Sequence, residues 1–136
     1  MNATLIKEIV IIAAFSILLL IIATILQKRP RSLNNEYFKN KWSDLQKKCA
    51  QKDTWALAVI DADKLLDEAL KKKHYKGKSM GERLVSAQHE LSDNDGVWYG
   101  HKLRNQLVHD NIKLTQNKVK EALVGIRQAL KDLGAL

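Results

Sequence analysis

The run Trp55 to Leu70, WALAVIDADKLLDEAL, decides how the rest of the chain reads. Trp55, Ala58, Val59, Ala62, Leu65, Leu66 and Ala69 recur at intervals of three and four, the spacing that stacks side chains on one face of an α-helix. A stripe of that width needs neighbouring elements to cover it. Asp53 or Thr54 stands before the run as a starting signal, and the sequence KKKHYKGK closes it.

The flanking segments carry the same helical period. Upstream, Glu36 to Gln51 presents Tyr37, Phe38, Trp42 and Leu45 as anchors, and the Asn34 and Asn35 pair suits a helix start. Downstream, Ser79 and Glu82 have capping-box spacing and open a third helix to about Leu91, with Leu84, Val85 and Leu91 facing inward. Ser92 to Gly96 reads as a turn and Val97 to His109 as a fourth helix. A fifth begins at Thr115 and uses Val119, Leu123, Ile126, Ala129, Leu130 and Leu133 before Gly134 stops it. No strand-type alternation occurs, and Pro is absent after residue 30. The expected fold is all-α: a single N-terminal transmembrane helix followed by a compact up-and-down bundle of about five helices.

The transmembrane assignment comes from residues 9–26, IVIIAAFSILLLIIATIL, an uncharged run interrupted only by Ser16 and Thr24. Its length meets the requirement of a hydrocarbon core of about 30 Å. A cleaved signal would have a shorter apolar region and a small-x-small site, and none precedes Gln27. Lys28, Arg29 and Arg31 follow the run, whereas Lys7 precedes it beside Glu8. The N-terminus is therefore expected outside and the remainder in the cytoplasm. This gives an anchor and basic flank over 1–30, a hinge over 31–35 and a helical domain over 36–136, with the lipid bilayer as partner of residues 9–26. The single Cys49 cannot form an intramolecular disulfide and reads as an ordinary helix residue.

Charge narrows the partners. The chain has 23 Lys and Arg against 15 Asp and Glu, a net of +8. Setting aside Lys7, Glu8, Lys28, Arg29 and Arg31 leaves 19 against 14, so the domain carries +5 and favours anionic partners such as RNA or phospholipid headgroups. Much of the excess is local: Lys71, Lys72, Lys73, Lys76 and Lys78 surround His74 and Tyr75. They read as RNA- or lipid-contacting residues, or as a solvated helix end that complements the dipole.

The chemistry-bearing stretch is Trp98 to Asp110, WYGHKLRNQLVHD. At about 100° per residue from Val97, the apolar residues Leu103, Leu107 and Val108 cluster with Val97, and Arg104 falls among them at roughly 340°. His101, Asn105 and His109 follow at about 40°, 80° and 120° as a polar ridge spaced four apart. An arginine against an apolar wall must be paired or must line a cleft, and Asp63, Asp67 and Glu82 are its candidate partners. Alternatively, Arg104 neutralises a phosphate while His109 moves a proton. His101 and His109, with only Asn105 between them, do not make a usual metal-ligand set, so neither a metal nor another cofactor is expected.

The run RNQLVH, Arg-Asn-x-x-x-His on the penultimate helix of a small bundle, resembles the signature of the HEPN superfamily, an Arg followed after four to six residues by His. ADKLLDEAL on the core helix and GERL after a glycine-containing loop resemble the family as well. Arg83 to His89 fits the bare spacing too, but with Leu84 where a polar residue is expected. The resemblance implies a metal-independent endoribonuclease or RNA-binding protein working as a homodimer, with cleavage leaving a 2′,3′-cyclic phosphate. It implies Arg104 as phosphate stabiliser, Asn105 as positioning group and His109 as proton-transfer residue, with His101 accessory. An antitoxin or other protein is a further candidate partner. The membrane anchor departs from the usual pattern and suits the alternative: a non-enzymatic tethered interaction or dimerisation module in which Arg104 is structural.

Overall fold

A computed structural model describes residues 2–27 and 32–136. The chain divides into two compact units, Met1–Arg31 and Ser32–Leu136. The positions Lys28, Arg29, Pro30 and Arg31, which carry the basic flank and the start of the hinge, lie outside the described residues.

The first unit is one helix, α1 (Ala3–Gln27). It starts before the apolar run because Leu5 and Ile6 already continue it, and no Gly or Pro intervenes. Its most apolar 18-residue stretch has a mean hydropathy of 3.2, and Ala3–Leu26 is long and apolar enough to cross a membrane. Both polar interruptions return to the helix itself. Ser16 Oγ donates to the Ile12 carbonyl at 2.9 Å and Thr24 Oγ1 to the Ile21 carbonyl at 2.8 Å, so neither hydroxyl needs water.

The second unit contains α2 (Asn35–Lys47), two 3₁₀ turns (Lys48–Ala50 and Lys52–Thr54), α3 (Trp55–Lys72), α4 (Met80–Ala87), α5 (Asn94–His109) and α6 (Gln116–Asp132). Four side chains start the helices by accepting an otherwise orphaned N–H: Asn34 from Tyr37, Ser79 from Glu82, Asp93 from Gly96 and Thr115 from Lys118. The five-helix expectation for this unit holds, and several boundaries move. The first bundle helix stops at Lys47 rather than Gln51, where the backbone tightens into 3₁₀ turns. The helix expected to reach Leu91 ends at Ala87, and Val85 is exposed, the inward face being Met80, Arg83, Leu84 and Ala87. The turn expected over Ser92 to Gly96 is the first turn of α5, because Asp93 captures the Gly96 N–H at 2.9 Å. Leu33, assigned to the hinge, is buried in the core.

α3 runs antiparallel to both α2 and α5. Tyr37 meets Glu68 and Lys48 meets Asp61 between α2 and α3, while His101 meets Asp63 and Leu103 packs with Val59 between α5 and α3. The bundle therefore has two distinct ends. One gathers the start of α2 and the finish of α3. The other gathers the start of α3 with the finish of α5. Phe38, Leu66, Leu70, Leu84, Ile126, Leu130 and Leu133 are fully buried between them.

The α5–α6 seam is set by the absence of side chains. A Cβ at Gly125 would lie 2.2 Å from the carbonyl carbon and oxygen of Gly96, and one at Gly100 would lie 2.9 Å from Ile126. Two backbones thus approach more closely than any larger residue permits. At the far ends, α3 and α6 close alike: Tyr75 N–H reaches the Leu70 carbonyl at 3.1 Å, and Ala135 N–H reaches that of Leu130 at 2.8 Å. These are Schellman closures, with a left-handed residue in each, His74 (φ 63°) and Gly134 (φ 74°).

Replacing Gly125 by Ala sets a methyl against backbone that cannot swing aside. The expected result is a loss of about 2–3 kcal/mol. It is read as a lower denaturant midpoint of the full chain, with helix content at zero denaturant retained.

Candidate functional site

The apolar stripe of α3 contains one acid that it does not expel. Asp63 lies between Ala62 and the Leu65–Leu66 pair, and its side chain is 4% exposed. An isolated carboxylate there would be costly. α5 offsets the charge with two groups. His101 Nδ1 lies 2.9 Å from Asp63 Oδ1, and Arg104 Nε lies 3.6 Å from Oδ2. The first is a hydrogen bond. The second is an ion-pair distance beyond hydrogen-bond range, so the enclosed Nε–H is attracted to the carboxylate without being bonded to it.

Asn105 links these two residues. Its Oδ1 accepts from Arg104 Nη1 at 2.9 Å, and its Nδ2 faces His101 Nε2 at 3.4 Å. The polarity of the set follows from the acceptors. The Asp63 carboxylate only accepts, so His101 Nδ1 carries the hydrogen; Nε2 of the neutral ring then accepts from the Asn105 amide, leaving Oδ1 for Arg104. This arrangement gives each of the three hydrogen bonds one donor and one acceptor. The ring of His101 is braced further by Trp98, edge-on at 5.8 Å between centroids.

These residues line a cleft of about 500 Å³ between α3, α5 and the start of α4, together with Asp67, Ser79 and Gly81. The Arg104 side chain is 29% exposed, so part of its guanidinium faces this space. A second arginine closes the neighbouring turn. Arg83 is buried on α4; its Nε donates to Asp67 Oδ1 at 2.7 Å and its Nη1 to the Gly77 carbonyl at 2.7 Å. Asp63 and Asp67 sit one helical turn apart on α3 and each holds one arginine. Burial pushes the Asp67 carboxyl up, but the hydrogen bonds from Arg83 and Lys71 outweigh it and hold it below the ordinary aspartate range.

Of the residues singled out in the sequence, Arg104, Asn105 and His101 come together. His101 sits between Asp63 and Asn105. His109 does not join them: it is exposed in the last turn of α5, about 140° around the helix from Arg104, where an imidazole also suits the helix dipole. The lysines form a separate surface. Lys71 pairs with Asp67 and Lys72 with Glu68, both remaining exposed, while Lys76 and Lys78 border a different depression with Arg83 and Glu82. Among the described residues no group of three or more His, Cys, Asp or Glu is placed to hold a metal ion. Cys49 is half-buried, with its thiol pushed up by burial.

Two residues escaped the sequence reading in their full role. Asp63 entered only as one of three acids near Arg104. Arg83 entered only within a discounted motif, although its position beside Leu84 on an inward face was the same signal that drew attention to Arg104. Comparison with protein-family models, with curated proteins and with solved structures gave no match to this chain.

Two stability measurements follow. Asp63→Ala leaves Arg104 and His101 without their acceptor and is expected to cost about 3 kcal/mol in chemical denaturation, more than Arg104→Met, which removes the partly solvated member. For Asp67 the folded carboxyl binds its proton less tightly than the unfolded one. Its contribution is therefore fully present above about pH 4 and is lost as pH falls through the lowered folded value. Arg83→Met is expected to flatten this part of the stability curve below pH 4 in an acid titration followed by circular dichroism.

Proposed function

We propose that this chain is a membrane-anchored, HEPN-like module that holds an RNA strand by its phosphates in the α3–α5 cleft. α1 crosses the bilayer with its N-terminus outside, and the bundle is cytoplasmic. The observation that carries the reading is the convergence of Arg104 and Asn105 on an open cleft. The part-exposed guanidinium gives a phosphate a charge-assisted donor, and the domain's net positive charge draws the strand in.

Cleavage, the enzymatic form of this reading, requires more than one copy. Both nitrogens of His101 are already engaged, and His109 stands on another side of α5. A second copy on the same membrane must bring its His109 to the cleft. That histidine takes the proton of an RNA 2′-hydroxyl as its oxygen attacks phosphorus. The 5′-oxygen leaves and takes up a proton, giving a 2′,3′-cyclic phosphate and a 5′-hydroxyl without a metal. Confinement to a plane raises the effective concentration of the partner copy.

A specific observation favours a second reading. Arg104 is already tied to Asp63 and Asn105, as a structural strut would be. On that reading the bundle is a tethered interaction or dimerisation module with no RNA chemistry, and an antitoxin or another protein is its partner.

The test uses the full chain in discs of neutral lipid with labelled single-stranded RNA of mixed sequence, in EDTA. Arg104→Gln is expected to weaken binding about tenfold, the loss of one charge-assisted phosphate contact. His109→Ala is expected to bind normally and to lose cleavage. Absence of binding by the parent chain would favour the second reading, and equal binding by Arg104→Gln would overturn the assignment of RNA to this cleft.

A further inference from the structure

We infer that the lysine-bearing end of the bundle is a docking surface for the anionic headgroups of the bilayer that α1 occupies, an inference that rests on α1 being a membrane anchor. The starting observation is an interhelical contact. Tyr37, in the first turn of α2, donates its hydroxyl hydrogen to Glu68 Oε2 at 3.0 Å, and Lys72 Nζ lies 5.5 Å from the centre of the Tyr37 ring. The last turn of α3 therefore sits beside the first turn of α2, where the chain enters the bundle. The link from Gln27 to Ser32 is five peptide steps, a reach of about 17 Å at full extension. Whatever the disposition of the bundle, its Ser32 end is leashed that closely to the end of α1.

This end carries five lysines within the eight residues Lys71 to Lys78, with Glu82 beside them. Between positions 67 and 78 five lysines stand against two carboxylates, a net of +3. The loop that presents them is held in shape from behind by α4. Ser86 Oγ donates to the Lys76 carbonyl at 2.6 Å, Arg83 to that of Gly77, and Glu82 accepts from the Lys78 N–H at 2.6 Å. With the backbone tied on its inner side, the Lys76 and Lys78 side chains are left exposed. A rigid, outward array of ammonium groups fits a plane of phosphates, to which juxtamembrane lysines are attracted at short range.

The same details weigh against RNA as the occupant of this surface. A single strand is gripped by stacking bases on aromatic rings as well as by charge. Tyr75 is packed against the core, and the Tyr37 ring is covered by Lys41 and Lys72. The surface offers charge without a stacking platform.

The experiment places the full chain in discs of phosphatidylcholine alone and of phosphatidylcholine with phosphatidylserine. Incorporation into both kinds of disc reports on α1 by itself. Each lysine is then acetylated briefly with a water-soluble reagent and its rate read by mass spectrometry. Lys76 and Lys78 are expected to react at least about fivefold more slowly in the phosphatidylserine discs, the protection of roughly one lysine–headgroup contact each. Lys52 and Lys113, at the opposite end, keep their rates, and high salt removes the difference. In a Lys76→Glu/Lys78→Glu chain the protection of Lys71 and Lys72 disappears. Equal rates in the two kinds of disc, or equal slowing of Lys113, overturn the proposal. Protection of Lys76 and Lys78 by added single-stranded RNA in neutral discs, with none from phosphatidylserine, assigns the surface to RNA instead.

Discussion

The bundle depends on one buried carboxylate. Asp63 is enclosed by the apolar stripe of α3, and it stays there because α5 supplies His101 and Arg104, three residues apart on neighbouring turns of one face. That requirement fixes the register between the two helices, since a shift of one residue would carry both partners away from the carboxylate. α6 fixes α5 from behind. The contact of Gly125 with Gly96, and of Gly100 with Ile126, admits one depth of approach. α5 is thereby held between a charge it must compensate and a seam it cannot widen, and the position of Arg104 at the cleft is a consequence of both.

Much of this was legible in the sequence because the signals are local. The stripe of α3 follows from the period alone, and Asn34, Ser79 and Thr115 act as caps within three residues of their own positions. Boundaries failed where glycine was read as punctuation. Gly96 lies inside α5, and what it serves is contact with a residue 29 positions later, which no local rule can reveal. Leu33 was assigned to a hinge on its Pro and Asn neighbours, whereas tertiary burial claims it. Val85 was counted inward by type, but on a helix of eight residues the buried face is narrow and belongs to Met80, Arg83, Leu84 and Ala87.

At the site, helical geometry did better than motif matching. Angles around α5 put Arg104 inside the apolar sector with Asn105 alongside, and the structure brings them together with His101. The motif attached His109 to the same task. The 140° between it and Arg104 follows from the same 100° rule. The two arginine–aspartate pairs were within reach of the sequence as well, through acids spaced four apart on α3 and arginines on otherwise inward faces of α4 and α5. What the sequence lacked was which acid meets which arginine, because that depends on how α4 and α5 lie across α3.

The hydrogen bonds running from Arg104 through Asn105 and His101 to Asp63 all point the same way, and this gives the cleft a selectivity of its own. Each of these bonds joins one donor to one acceptor, so rotating the Asn105 amide by half a turn would set N–H against N–H on the arginine side. The bond to Asn105 occupies a single N–H of Arg104, so a newcomer meets a part-exposed guanidinium that still has unbonded donors and no acceptor to offer. A carbonyl or hydroxyl guest gains little there over the water it replaces. A guest bearing formal negative charge gains more, because its bonds to a guanidinium are stronger. The guanidinium thus favours anions while the Asn105 amide keeps its own bond.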